Sequence, residues 1–488
     1  MGRDALTRRW RATLYQRERA GAHLGVRVEQ KSIEDLKSRL KGTVLLQDDP
    51  GYDDARSVWN GMIDRRPAVI VRCLGVADVI AAVNFARDQG LLLSIKGGGH
   101  NIAGFAVCDG GIVLDMSAMR GVWVDPQNRT ARAQAGCLLG DVDRETQVFH
   151  LASVLGFVSN TGIAGLTLGG GFGYLTRRFG WACDNVSAME MVTAEGRVVR
   201  ASEKENQDLL WGLRGGGGNF GVVTGFEYQL QSLGPEILAG LIAWRGEDAP
   251  KVLEMYRSVV EQAPSEFTCV LILRIAPPAP WLPKEVHGKP IVAFSICHSG
   301  QIDQAEQQFS SIKTFGSPVG NIVQRRSYVA QQSLLDATQP KGRRYYWKSD
   351  FLPRLTPEFL ETLIVHAGRM VSPNSAILLF PVDGALQQLP EDYSAIGNRD
   401  AALVVNIAAS WEKADHDEEN IQWARDAWED TRRFSTGRAS INFQTAEEAG
   451  DRILATYGSN FDRLRDIKRK WDPNNLFRMN KNVTPSVA

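Results

Sequence analysis

A chain of 488 residues is too long for one ordinary hydrophobic core and implies two domains or more. Hydrophobic residues make up 43% of it and charged residues 23%, as in a soluble globular protein. Its 56 basic residues cancel its 56 acidic ones, which excludes the global charge bias of a nucleic-acid or membrane-surface binder.

The first twenty residues carry six arginines against Asp4 and Glu18 and read as a solvated amphipathic helix, the start of an N-terminal helical segment over 1–60. They lack the apolar stretch of a signal peptide, and no later run is apolar enough for a membrane span, so a cytoplasmic location is expected. The six cysteines show neither CxxC pairing nor metal spacing and read as reduced, mostly buried thiols. Residues 68–74 predict a strand, 77–90 an amphipathic helix ending at Gly90, and 91–95 and 111–115 two further strands. Val192–Val199 predicts a hairpin turning at Glu195-Gly196, followed by a short helix around 203–213. Elements alternate here without a clean βαβ repeat, so this half is expected to be α+β rather than doubly wound. Composition shifts near Ser232-Leu-Gly-Pro235. Beyond it, helices are predicted at 248–262, 302–314, 356–371 and 417–433, with apolar strands at 268–275, 290–297, 376–380 and 402–408. That pattern predicts a second α+β domain, a sheet with helices on one face. The tail carries a basic helix through Arg463–Trp471 that must stop before Asp472-Pro473.

Three glycine clusters carry the chemistry. In Lys96-Gly97-Gly98-Gly99-His100-Asn101, glycines after a strand let backbone N–H groups approach an anion and set an imidazole beside it. Residues 162–173 hold six glycines in twelve positions, a density that suggests backbone wrapped around a ligand. The third cluster, Arg214–Gly221, contains a GxGxxG match at 216, 218 and 221. A strand-like run follows it, whereas the dinucleotide fingerprint must open a helix, so a Rossmann site is rejected. No Walker A, HExxH or G-x-S-x-G motif occurs, and the seven histidines do not cluster for a metal. Three such loops in one half suggest a long, phosphate-bearing cofactor.

His100-Asn101 in its glycine turn, Gly110–Asp115, Gly162–Gly173, Leu213–Thr224 and Asp472–Asn482 together resemble the berberine-bridge-enzyme-like FAD-linked oxidases of the vanillyl-alcohol-oxidase superfamily. The resemblance covers about 60–230 and 450–485, and through 97–116 and 205–224 it is similar to the 6-hydroxy-D-nicotine oxidase branch. It implies an FAD-binding domain over 61–232, completed by a C-terminal return at 446–488, with a substrate-binding domain over 233–445 inserted between them. It implies FAD held by Lys96, Gly97, Gly98, Gly99, His100, Asn101, Gly104, Thr161, Gly162, Gly165, Gly169, Gly170, Gly173, Asn219, Val222, Asn480 and Asn482. His100 would bond covalently to the 8α-methyl of the isoalloxazine.

Two departures matter. Many relatives carry a cysteine where this chain has Val158, so a single linkage through His100 is implied. The family's usual base is a tyrosine after an asparagine, and the pair here is Asn442-Phe443, whose phenyl ring cannot take a proton. Candidate bases are then Tyr346 and Tyr393, with Lys348 lowering a phenol's pKa, and Tyr174, Trp411 and Phe443 are expected in the substrate pocket. Thr161 resembles in size the valine that accompanies oxygen use in the family. The implied activity takes hydride from an alcohol, sugar or secondary-metabolite carbon to flavin N5, with O2 as acceptor. The alternatives are an amine oxidase of the hydroxynicotine type and a flavin-carrying binding protein without turnover. Expected partners are a small-molecule substrate and O2, with no nucleic acid, membrane or metal, in a monomer or homodimer.

Overall fold

The computed structural model describes residues 28–448 and 450–487, and the arginine-rich segment 1–20 lies outside them. After helix α1 (Gln30–Ser38), a four-stranded sheet is ordered β1-β2-β4-β3, from β1 (Thr43–Leu45), β2 (Val69–Arg72), β3 (Leu93–Lys96) and β4 (Ile112–Asp115). β1 runs antiparallel to β2, whereas β2, β4 and β3 are mutually parallel, a small parallel core that the sequence pattern did not announce. Helix α2 (Val76–Asp88) makes the crossover, burying Val79, Ala82, Val83 and Ala86. Its Asp78 accepts the amides of Lys41, Gly42 and Leu74, tying the helix start to the chain before β1. The helix gives way at Gly90, whose φ of +63° suits glycine.

A five-stranded antiparallel sheet follows, ordered β5-β6-β9-β7-β8. Its strands are β5 (Val122–Asp125), β6 (Thr130–Gln134), β7 (Val186–Val192), β8 (Val198–Ser202) and β9 (Val222–Gln229). Helix α3 (Leu139–Gln147), the short helix α4 (Ile163–Leu168) and α5 (Gln207–Leu213) lie among them. The third glycine cluster opens β9 and not a helix, so no Rossmann turn forms there.

The remaining large sheet is antiparallel throughout. Its long strands run in the order β10 (Ile237–Arg245), β12 (Pro290–His298), β11 (Phe267–Ile275), β14 (Ala376–Pro381), β15 (Leu403–Trp411) and β13 (Arg344–Leu352). Helices α6 (Ala249–Gln262), α7 (Ile302–Lys313), α8 (Pro357–Ala367) and α9 (Asp417–Thr431) pack on one face. The period of two is clear in β11. Phe267, Cys269, Leu271 and Leu273 join the helix-side core, while Val270 and Ile272 pack on the opposite side with Phe172 and Tyr174. Strands β10 and β13 were not foreseen. The first continues a composition shift without a polar break, and the second mixes Arg344, Lys348 and Asp350 among its aromatics.

The tail returns through helix α10 (Phe461–Trp471), whose Leu464, Ile467 and Trp471 enter the same core as the two N-terminal sheets. Buried Lys468 pairs with Asp472 at 2.6 Å and donates to the carbonyls of Asn219 at 2.7 Å and Phe477 at 2.9 Å. An otherwise costly buried cation is thereby satisfied, and it locks the tail to the third glycine loop. The fold is α+β and two-domain, and no helix among the described residues is long and apolar enough to cross a membrane.

Candidate functional site

The first two glycine loops touch backbone to backbone. A Cβ on Gly98 would strike the Gly162 amide, and one on Gly162 would come within 2.5 Å of the Gly98 nitrogen. Only glycine at both positions permits this approach. The amides of Gly98, Gly99, His100 and Asn101 have no protein acceptor among the described residues, and Gly99 turns them with φ +69°. A row of free N–H groups in such a turn is an anion nest.

This nest forms one end of a cavity of about 360 Å³. Its wall continues along Thr161–Gly162 and Ala164–Leu166, through Gly217–Asn219 and Met479–Lys481, to the open face of the large sheet. Asn219 staples the tail to this wall, donating to the Gly216 carbonyl at 2.7 Å and accepting the Val483 amide at 2.9 Å. Asn480 donates to Gly218 at 3.0 Å and to Phe477 at 3.1 Å, while its Oδ1 is buried without a partner.

His100 lines the cavity and is partly buried. Burial pushes its pKa down to about 4, opposed in part by Asn160 beside it, so the ring is neutral at physiological pH. Trp59 stacks on it at 5.0 Å and on Tyr345 at 3.7 Å, carrying an aromatic column from the nest to the sheet.

Strand register sets the sheet face of the cavity. Arg274, Ala376, Ala408 and Trp347 form one row across β11, β14, β15 and β13; Ile272, Leu378 and Asn406 form the next, and Ser410 faces Tyr345. Phe157, Phe172, Phe380 and Phe443 close the cavity with edge-on and tilted ring contacts. Asn442 holds the last of these segments, donating to the Leu166 carbonyl at 3.0 Å.

Of the residues expected to hold cofactor, Gly97, Gly98, Gly99, His100, Asn101, Thr161, Gly162, Gly165, Gly169, Asn219 and Asn480 line the cavity, as do Val158 and Phe443. Others do not reach its wall. Lys96 points beneath the turn, donating to Ala55 at 2.7 Å and lying 3.7 Å from Asp115, so it supports the loop from below. Gly104 and Gly170 have positive φ and abut Ile63 and Ile396, and a Cβ on Gly173 would strike the Leu155 carbonyl. These three glycines serve chain-to-chain packing. Val222 is buried in the strand pairing with Val192, and Val223 faces the cavity instead. Asn482 is off the wall, with a buried, unpartnered Oδ1.

The two candidate bases, and the lysine expected to tune them, are corrected by geometry. Tyr346 and Lys348 occupy alternate positions of β13 from Tyr345 and Trp347, so they point to the helix side. There Tyr346 donates to Glu447 and receives Arg425 at 3.0 Å, and Lys348 pairs with Glu447 at 2.8 Å and Glu448 at 3.1 Å. Tyr393 lies between the guanidinium groups of Arg214 and Arg399, away from the cavity. Tyr174 shares a hydrogen bond with Ser295 at 2.8 Å behind Phe157, and Trp411 turns to the helix side, donating to Asp417 at 2.7 Å. Sequence reasoning missed Trp59, Arg274, Asn406 and Ser410. A polar residue at the inward parity of an apolar strand, as in Leu403-Val-Val-Asn406, was the available signal for three of them. Trp59 sits in a loop and left none.

The residues present fit a flavin dinucleotide. The free amide nest suits a pyrophosphate, the unpartnered Oδ1 of Asn480 would accept an N–H or O–H of the cofactor, and the neutral imidazole is a competent nucleophile. An elongated cavity running from an anion nest to an apolar, polar-studded sheet face defines a flavin-dependent oxidoreductase.

Comparison with known proteins agrees. A family model described as "FAD binding domain" matches residues 67–202, and one described as "Berberine and berberine like" matches residues 440–484. The chain is 32% identical over 464 residues to (R)-6-hydroxynicotine oxidase of Paenarthrobacter nicotinovorans, covering 91% of this chain and 97% of that one. The crystal structure of 6-hydroxy-D-nicotine oxidase from Arthrobacter nicotinovorans superposes with a TM-score of 0.83 at 30% identity, over 92% of this chain and 98% of that one. A chitooligosaccharide oxidase, at 23% identity and a TM-score of 0.80 over 93% of this chain and all of that one, shares the fold. The chain belongs to the berberine-bridge-enzyme-like family of FAD-linked oxidases.

Proposed function

We propose that this protein is an oxidase that carries FAD attached covalently, and singly, through His100. It would act on a small substrate held against the open face of the large sheet. The FAD-binding part would comprise 61–232 and 446–488, and the substrate-binding part 233–445. The observation that carries the reading is the free amide nest at 98–101 beside a neutral His100, at the end of a cavity that leads to that face. Bound FAD would accept hydride from a substrate C–H and pass the electrons to O2, giving hydrogen peroxide.

The chain's own residues would do the rest. The nest and the Gly98–Gly162 contact would hold the pyrophosphate, and Asn480 would satisfy a polar edge of the cofactor. A lowered pKa leaves the His100 ring nitrogen free for attachment over the whole physiological range. Val158 lines the cavity without a nucleophilic atom, which supports a single linkage. Thr161, on the same wall and close to valine in size, supports the use of oxygen. The phenylalanine wall excludes water from the reacting carbon.

One observation favours an amine over an alcohol. No aspartate or glutamate lines the cavity among the described residues. Tyr345 donates its hydroxyl to the Pro340 carbonyl at 2.6 Å, and burial raises its pKa, so it is a poor base. An alcohol would forgo the roughly 10²–10⁴-fold supplied by a positioned base, whereas a neutral amine needs none.

Denatured protein should keep its yellow fluorescence on a gel, and H100A should lose it. Purified enzyme should release peroxide from members of an amine panel in preference to matched alcohols. Colour that leaves the wild-type protein on acid precipitation would refute the covalent linkage, and a faster reaction with alcohols would refute the amine reading.

A further inference from the structure

From the placement of Arg274 we infer that the substrate carries a carboxylate on an apolar body, with Arg274 as the residue that selects it. This rests on the reading above only in taking the sheet face as the substrate wall.

Arg274 is the penultimate residue of a strand that is apolar apart from Thr268, on the same parity as Val270 and Ile272, and its side chain forms part of the cavity wall. Its Nε donates to the Ile275 carbonyl at 3.2 Å, and its two Nη groups have no acceptor among the described residues. No acidic side chain answers it among the described residues. The charged group that acts on it is a second cation, Arg343, which is itself paired with Glu412 at 2.9 Å, and Asn374 donates to that same carboxylate at 3.3 Å. The cavity's other basic side chain, Lys481, has its pKa pushed down to about 8 by burial and is already committed to the carbonyls of Thr445 and Glu448.

A guanidinium left half-buried, with its fork free and no carboxylate on the surrounding wall, is uncompensated charge unless a ligand supplies the anion. The burial that pushes its pKa down to about 10 leaves it protonated at neutral pH. The surroundings describe the rest of the ligand. Ala376 and Ala408 leave a shallow trough between Arg274 and Trp347, and Ile272, Leu378 and Phe380 form apolar walls. Asn406 and Ser410, 2% and 3% exposed, hold unpartnered oxygens on the same face and can accept or donate to a polar group further along the body. A single guanidinium matches a singly charged carboxylate through two parallel hydrogen bonds, whereas a phosphate dianion would keep one charge unanswered in an apolar trough.

The test is calorimetric titration of the purified holoenzyme with benzoate, benzamide and phenylphosphonate. Benzoate should bind roughly tenfold or more tighter than benzamide, the advantage of a charge-assisted pair over its neutral isostere. R274M should abolish that preference and R274K, which keeps the charge without the fork, should retain part of it. Retained flavin and an unchanged circular dichroism spectrum check the fold of each variant. If R274M is unstable, R274K binding benzoate as tightly as wild type would still overturn the inference. So would equal wild-type affinity for benzoate and benzamide. Tighter binding of phenylphosphonate than of benzoate would overturn the carboxylate assignment. Flavin content and peroxide release are read separately. A flavin-free protein that still prefers benzoate refutes the oxidase alone, and an active oxidase without that preference refutes the anion site alone.

Discussion

The indole of Trp59 lies nearly parallel to the imidazole of His100, with 5.0 Å between ring centroids and 16° between planes. Its other face is covered by Tyr345, and its Nε1 donates to the Gln339 carbonyl at 3.0 Å. One residue from the loop before β2 thus orients the proposed attachment histidine and joins it to the substrate sheet. W59A should cost roughly 3–5 kcal/mol through the cavity it leaves. It should also lower the fraction of protein carrying covalent flavin. Thermal melting and in-gel fluorescence check the two effects.

Gly98 and Gly162 make a second such joint. G98A or G162A should separate the two loops and destabilise the fold by about 1–3 kcal/mol, the range of overpacking. Flavin content per mole of purified protein should fall in both variants. A fully loaded G162A would show that the loops separate at no cost to the nest.

Y346F should leave substrate-driven bleaching of the flavin unchanged, because the hydroxyl faces helix α9 and Glu447. Loss of hydrogen bonds to charged partners should lower stability by about 1–2 kcal/mol. Stopped-flow reduction beside a denaturant melt separates the two effects.

Asp143 is wholly buried on α3, with a single partner, Gln332 Nε2 at 3.1 Å, and burial pushes its pKa up to about 7. The folded state therefore holds a proton that the unfolded chain releases near pH 4. Stability from this group is complete below pH 4 and is lost as the pH rises through 7. D143N, neutral throughout, should melt with the wild type near pH 4 and above it at pH 8, by about 1–3 kcal/mol. Melting curves across that range check the sign.

The glycine turn at 96–101, the dense run at 162–173 and the rejected fingerprint at 216–221 were legible because glycine's lack of a Cβ is a local property. A nest, a tight approach and a strand start are each decided within a few residues. The same locality made α2, α6, α7, α8 and α9 legible from their apolar period, and α10 from the proline that ends it. Which side of β13 faces the cavity was not local. Tyr345 and Tyr346 differ by one position. Sequence chemistry favoured Tyr346 beside Lys348, yet the pairing of β13 with β15 turned that pair to the helices and left Tyr345 and Trp347 on the cavity. Arg274 carried the parity signal, yet parity alone does not say which face of a strand meets a ligand; its neighbours across the sheet, Ala376 and Ile291, do. Local composition decided what the cofactor loops are. Strand register, set by long-range pairing in which a one-residue shift reverses every side chain, decided which residues meet the substrate.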